Sequence, residues 1–569
     1  MAKLISADLT DNKLCSLEYT TTDGQMLSFK EDAFDAKIVS HTYTDIGRII
    51  FDKPITTIRE FAFNEPKNLK SITIPYGVTR IGSGAFNDCE NLLCVTIPKS
   101  VSIIESWAFN RCNSLQSIII PNSVSTIGMG AFNRCIGLEF ITIPDSITNI
   151  CESTFSDCIS LTSVTIPETV TTIGKKAFQH CHGLIGVIIP NSVTTIDESA
   201  FWGCLYLTKV IIGDGVKTIG KSAFAFCGRL TSVIIGHNVK TIGESAFNSC
   251  KNITSITIPD SVTNIGENAF GNCDSLEKFN GNLASIDGRC LIINGVLSAF
   301  APSNLFQYII PDTVTIIKES AFNVGNNLIS LTISDNVNSI EAGAFNFCSN
   351  LKEFRGKFSA DNGRCLIIDG VLTSIAWGCN ITDYTIPNSV TKIGKKTFFC
   401  RTNLTSVIIP NTVTEIDDSA FFTCKNLTSI TIPYGVTKIG KNAFAHCASL
   451  ASVTIADSVI SIEDGAFVFC KKLKKVTIPD SVTEIGDRAF WGCSSLIDVT
   501  LGKSVTKVGN MTFSNCNILT HTKLNIDTIV CYPQIPPKLN DSFDGFENLI
   551  VPTGCEEAYA NSDWGKYLE

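Results

Sequence analysis

Charge is scarce in this chain: Asp, Glu, Lys and Arg together make up 17% of its 569 residues. The formal sum is −9 at neutral pH, which argues against general nucleic-acid affinity, because that rests on clustered Lys and Arg. Long apolar runs are missing too. Runs such as Ile118-Ile119-Ile120 are strand-sized and far short of the roughly 18 residues a membrane helix needs. Met1 to Thr10 hold neither an apolar segment nor a cleavage site, so they do not read as a signal peptide. Two expectations follow: a protein that stays inside the cell, or a mature form whose leader was removed. No pair of cysteines has the Cys-x2-Cys spacing common in zinc sites. Histidine occurs six times and clusters once, as His180-Cys181-His182, a poor metal cage because the two imidazoles lie either side of an inward thiol.

What the chain has instead is repetition, and repetition overrides any domain count based on length. Phe recurs every 23 residues from Phe63 to Phe270, then at Phe322 and Phe345, then from Phe398 to Phe513. These runs hold ten, two and six coils, eighteen in one register. Five residues before each Phe stands Ile, with Val508 the exception, and six after it stands Leu, with Ile253 the exception. The consensus reads S-V-T-x-I-G-x-x-A-F-x-x-C-x-x-L-T-S-V-T-I-P. In Leu161 to Pro167, Val164 and Ile166 alternate with Ser163 and Thr165, the period-2 pattern of a half-buried strand. Pro closes that strand in many coils because it cannot donate the next ladder hydrogen bond. The Ile-Gly-x-x-Ala-Phe segment then turns and returns on the other side, filling the interior with Phe. No coil buries its apolar face alone, so stacking must do it. The expected fold is therefore a mainly β repeat solenoid of the α/β repeat type, with a parallel strand ladder on one face. Such a stack also accommodates 44% hydrophobic residues alongside so little charge.

Two coils are enlarged. Gly288 to Leu297 recurs as Gly363 to Leu372, and Asn294-Gly295 and Asp369-Gly370 read as type I′ hairpin turns between apolar runs. The chain thus divides into an amino-terminal cap (1–50), ten coils (51–279), coils carrying two hairpin variants (280–397), six coils (398–516) and a carboxy-terminal cap (517–569). In that last cap, Tyr559 and Trp564 are expected to plug the open end.

This coil closely resembles the BspA-like leucine-rich repeats, over about 460 residues. The Gly-Arg-Cys-Leu-Ile hairpin and the Pro-Pro, Val-Pro, Ala-Tyr and Trp elements of the tail are similar to those of the family's Bacteroidetes members. The resemblance implies a secreted or cell-surface protein that binds host matrix proteins, host receptors or other bacteria. An intracellular assembly scaffold, hence a cytoplasmic location, is the alternative that the amino terminus leaves open. A monomer is the favoured state.

Motifs that suggest chemistry dissolve into the repeat. Fifteen of the 24 cysteines stand three residues after a repeat Phe, a line of thiols rather than a cage, and a buried free Cys behaves as a small hydrophobe. Gly215 to Ser222 spells the phosphate-loop pattern, but that motif works only between a strand and a helix. Here Lys221 and Ser222 occupy variable positions before Ala223-Phe224. No catalytic constellation, metal or cofactor is therefore expected.

Binding information must lie where the repeat is broken. Outward strand positions fall eight and ten residues after each Phe, and most hold Ser, Thr or Ile. Among the exceptions are Phe140, Lys209, Lys278, Glu353 and Arg355. On the turn edge, just after the repeat Phe, stand Trp202, Phe399, Phe422 and Trp491. Aromatics and Arg tend to anchor interfaces, so these nine residues are the candidate contacts for a protein ligand.

Overall fold

A computed structural model describes residues 15–63, 65–322, 327–516 and 526–568. The Met1 to Thr10 segment, and the first residues of the carboxy-terminal cap including His521, lie outside the described residues. The chain forms a mainly β solenoid in two compact units, Met1–Asn304 and Leu305–Glu569. Among the described residues the only α-helix is Glu556–Ala560.

Each coil contributes two strands. In the first unit the main ladder carries strands such as Phe140–Thr142 and Ser163–Thr165, paired in parallel so that Ile141 meets Val164. Their inward residues are apolar and, Phe140 apart, their outward residues are polar, as the alternation demands. The returning side also holds strands. It carries a second parallel ladder of two-residue strands, six of them running from Asn149–Ile150 to Asn264–Ile265. The repeat Ile is the inward residue of each, as Ile173, Ile196 and Ile219 are. Two residues suffice because the strand need only span the coil between its two turns.

The Phe column runs between the ladders. From Phe63 to Phe270 successive rings lie 5.1–5.7 Å apart, within 16° of parallel. Strand spacing of about 4.8 Å exceeds van der Waals contact, so the rings stack with an offset, which their quadrupoles favour. Beside them run the thiols. Each ladder Cys donates its S–H to the carbonyl of the Phe 26 residues earlier, as Cys112 does to Phe86 and Cys227 to Phe201, both at 3.3 Å. Arg401 occupies the Cys position of its coil and keeps the same bond, Nη2 donating to Ile375 O at 2.6 Å. It also stacks on Trp377 and donates to Trp377 O. Burial, with no carboxylate beside it, lowers this guanidinium to about 10.

The hairpins take the second ladder's path. Cys365–Ile368 turns back antiparallel into Val371–Ile375, which then pairs in parallel with Lys392–Ile393. Asp369 and Gly370 both have positive φ, 49° and 78°, the type I′ geometry that the sequence implies. Asn294 and Gly295 repeat it in the first unit.

Both ends are closed. Ser16–Thr21 lies antiparallel to Leu69–Thr73 and covers the ladder's first edge, which would otherwise template aggregation. At the other end the register continues past Cys516, where the consensus is no longer readable. Phe543 stacks on Phe513 at 5.0 Å, thirty residues on, with Ser542 in the Ala position. Trp564 then packs on Phe543 at 5.5 Å, fully buried, with Nε1 donating to Pro537 O.

Candidate functional site

The outward strand positions are set by the pleat, and in the first unit they form one surface. Lys209 sits in register between Gly186 and Ser232, while Ile188, Ile211 and Ile234 align beside them in three successive coils. Ile188 and Ile234 are 65% and 52% exposed. Gly186 contributes no side chain, and the gap opens a dimple of about 460 Å³ lined by Val164, Glu168, Ile188, Lys209 and Ile211. Phe140, two coils earlier, is 56% exposed and aligned with Ser117 and Ser163. Lys278 stands exposed beside Ser255, where the hairpin begins. In the second unit Glu353 and Arg355 lie on one strand and pair with each other. Counting Ile as consensus hid the isoleucine stripe, although its signal was present: Ile at the tenth position in three consecutive coils.

The turn edge forms a second surface. Among the described residues, the backbone takes left-handed φ two places before and two places after the repeat Phe, as at Ser222 (54°) and Phe226 (61°). Side chains one and two places after Phe therefore meet across coils. Trp202 packs on His180 at 4.7 Å and on Phe226 at 5.2 Å. In the second unit Phe399 stacks on Phe422 at 5.2 Å, Phe422 meets His446 at 5.3 Å, and His446 meets Phe469 at 4.9 Å. Phe469 then meets Trp491 edge-on at 4.6 Å. Three of the predicted residues thus belong to one row, and the residues between them went unrecognised because they sit one place later in the coil. Gly492 follows Trp491 because a Cβ there would lie 2.6 Å from the Phe469 ring.

Among the described residues, the groups that suggested chemistry in the sequence are engaged in ordinary contacts. His180 Nδ1 hydrogen-bonds Asp157 Oδ1 at 2.8 Å, and Arg134 shares that carboxylate. Lys221 of the phosphate-loop match pairs with Glu244, and the strand Thr218–Ile219 interrupts the loop the motif requires. Among the described residues no three His, Cys, Asp or Glu converge to hold a metal, and no helix is long and apolar enough to cross a membrane.

The chain matches the profile of the BspA type leucine rich repeat region (6 copies) over residues 37–162, 148–277, 278–362, 374–455 and 437–529. It belongs to the BspA-type leucine-rich-repeat family. Among solved structures, a leucine-rich repeat protein from Bacteroides ovatus is 22% identical, covering 90% of this chain and 98% of its own, with a TM-score of 0.34. A leucine rich cell surface protein from Faecalibacterium prausnitzii is 24% identical, covering 76% and 96%, with a TM-score of 0.38. No curated protein matches the chain. Repeats of the BspA type generally serve as protein-interaction scaffolds, and the two outward surfaces are where such a scaffold presents its variable residues.

Proposed function

We propose that this BspA-type protein is a non-enzymatic adhesin, displayed at the cell surface or secreted, that binds a host or bacterial protein through the strand face of its first unit. The observation that carries the proposal is the Ile188, Ile211 and Ile234 stripe around the Gly186 dimple, exposed at Ile188 and Ile234 and half-buried at Ile211, with Lys209 at its rim. A contiguous apolar patch with a pocket for an anchor is the usual form of a hot spot. Phe140 and Lys278 extend the surface, and Glu353 with Arg355 is a secondary contact. A second reading, an intracellular assembly scaffold, is favoured by the 24 free thiols, since reducing compartments keep cysteines unpaired.

The intact chain, immobilised and exposed to host matrix proteins and bacterial surface extracts, should capture a partner saturably. Gly186→Arg fills the dimple without strain, because a Cβ there meets nothing nearer than 3.6 Å. Together with Ile211→Asp it should weaken binding at least about tenfold, about 1.4 kcal/mol. Capture no better than by an unrelated solenoid, or an affinity untouched by both changes, would overturn the proposal. Fractionation that finds the protein only in the cytosol would favour the second reading.

A further inference from the structure

The second unit holds a pocket that the strand-face reading leaves unused. It lies on the turn edge, encloses about 500 Å³, and is lined by Asn442, Asp464, Val468, Asp487, Arg488, Trp491 and Asn510, with Gly465 at its floor. Its origin is local. Two residues before the repeat Phe, successive coils place Asn442, Gly465 and Arg488, so the missing side chain at Gly465 leaves a gap between an amide and a guanidinium. One place after the Phe, Val468 is small and Trp491 in the next coil is large, so the gap is walled on one side by an indole.

The other walls are polar and partly unengaged. Asp464 and Asp487 each use Oδ1 to accept the backbone N–H of the next coil, from Asp487 at 3.0 Å and Asn510 at 2.8 Å. Lys441 takes the second oxygen of Asp464. Among the described residues the side-chain amides of Asn442 and Asn510, the guanidinium of Arg488 and the second oxygen of Asp487 have no partner. The indole N–H of Trp491 is shielded from solvent and also lacks an acceptor. Leading away from the pocket is the row Trp491, Phe469, His446, Phe422 and Phe399, with ring centres 4.6–5.3 Å apart.

We propose that this edge binds a linear, equatorially linked oligosaccharide, one pyranose seated in the Trp491 pocket and its neighbours laid along the aromatic row. A pyranose presents an apolar C–H face and a rim of hydroxyls. The pocket has one aromatic wall, and around it amides, a guanidinium and a carboxylate oxygen able to donate to and accept from hydroxyls. A hydrophobic protein anchor would leave those groups desolvated and unpaired, at a cost that disfavours it. The ring step of 4.6–5.3 Å is close to the length of one sugar unit in a β-1,4-linked chain, and flat equatorially linked chains stay extended enough to pass from ring to ring. The rings are held by packing on one another, Phe399 face to face with Phe422 and Phe469 edge-on to Trp491, so beyond the pocket the ligand meets a row of half-buried ring edges fixed before it arrives. This site is independent of the first unit's strand face.

The test uses the full chain and isothermal titration with cellohexaose and chitohexaose, with maltohexaose, whose α-linkages curl the chain, as control. At least one of the two straight hexasaccharides should bind with a Kd below about 1 mM, at least tenfold more tightly than maltohexaose. Trp491→Ala should weaken that binding about tenfold or more. Gly465→Asn should do the same by filling the pocket: its Cβ would stand 2.3 Å from Asn442 Oδ1 and so push aside only the end of that side chain, and Asn already holds the same left-handed position at Asn442 (φ 54°). Gly186→Arg should leave sugar binding unchanged. The proposal fails if neither straight hexasaccharide binds, if maltohexaose binds equally, or if Gly465→Asn leaves affinity intact. It fails equally if Trp491→Ala and Gly465→Asn abolish capture of a protein partner and not of sugar, which would make the row a protein interface.

Discussion

Replacing Phe224 by alanine is expected to destabilise the first unit by about 3–5 kcal/mol, the range for deleting a fully buried aromatic. Phe224 has no solvent exposure and is held between Phe201 at 5.2 Å and Phe247 at 5.5 Å, all three nearly parallel. The substitution opens a cavity and removes two stacking contacts, each worth about 0.5–1.5 kcal/mol beyond burial. In a solenoid, stability is a sum of nearest-neighbour terms, so the loss is concentrated where the coil centred on Phe224 meets its two neighbours. Urea unfolding should change from one transition to two, as the coils on either side of residue 224 lose their coupling. Hydrogen exchange should accelerate most in the strands Lys209–Ile212 and Ser232–Ile234. Phe140→Ala is the control: its ring points outward and should change stability by less than about 0.5 kcal/mol. A single unshifted transition for Phe224→Ala would show that the column is not what joins the coils.

The second large effect concerns the thiols. Of the 24 cysteines, only Cys94 is exposed, on the outward strand face, five are half-buried and eighteen are buried. Burial pushes Cys273, Cys493 and Cys531 up to about 12 and Cys365 to about 11. Because the thiolate is the nucleophile, three pKa units reduce the reactive fraction roughly a thousandfold. At pH 8 a disulfide reagent should therefore label Cys94 fast, the half-buried set (Cys15, Cys151, Cys379, Cys400, Cys555) slowly, and the rest only as the coils open. Fast labelling of more than about six thiols in the native protein would refute the buried ladder.

The same shifts set an alkaline limit. A thiol whose folded pKa is raised binds its proton more tightly in the native state, so its contribution is intact below the ordinary thiol value near 8.5. That contribution is lost as pH rises from there toward the folded value, at about 1.4 kcal/mol per pH unit for each thiol. Cys273, Cys493 and Cys531 alone would lose about 4 kcal/mol per unit between roughly pH 9 and 12. Circular dichroism followed against pH should show unfolding begin above about pH 9. A fold that persists to pH 12 would mean the thiols do not resist ionisation.

The coil was legible in the sequence because everything that defines it is repeated at one interval. Phe, Ile, Leu, Ala and Cys each return every 23 residues, and stacking makes equivalent residues touch, so a spacing along the chain becomes a contact. The hairpin turns were legible for a local reason: Asn-Gly and Asp-Gly supply the two positive φ values a type I′ turn needs. Arg401 was not legible as a ladder member, because only the backbone shows that its guanidinium reaches the carbonyl 26 residues back that a thiol reaches elsewhere. Nor was the coil of Phe543, where a thirty-residue spacing and Ser542 in place of Ala conceal a ring stacked in full register.

By itself, then, the sequence determined the period and the inward column, both consequences of each coil meeting a copy of itself. Only the tertiary structure decided which outward side chains become neighbours. Phe399, Phe422, His446, Phe469 and Trp491 belong to five coils at two different offsets from the repeat Phe, and the Gly465 gap exists only between its neighbours' side chains. Those surfaces are built across coils, where the left-handed turn residues rather than the repeat interval decide which rings meet.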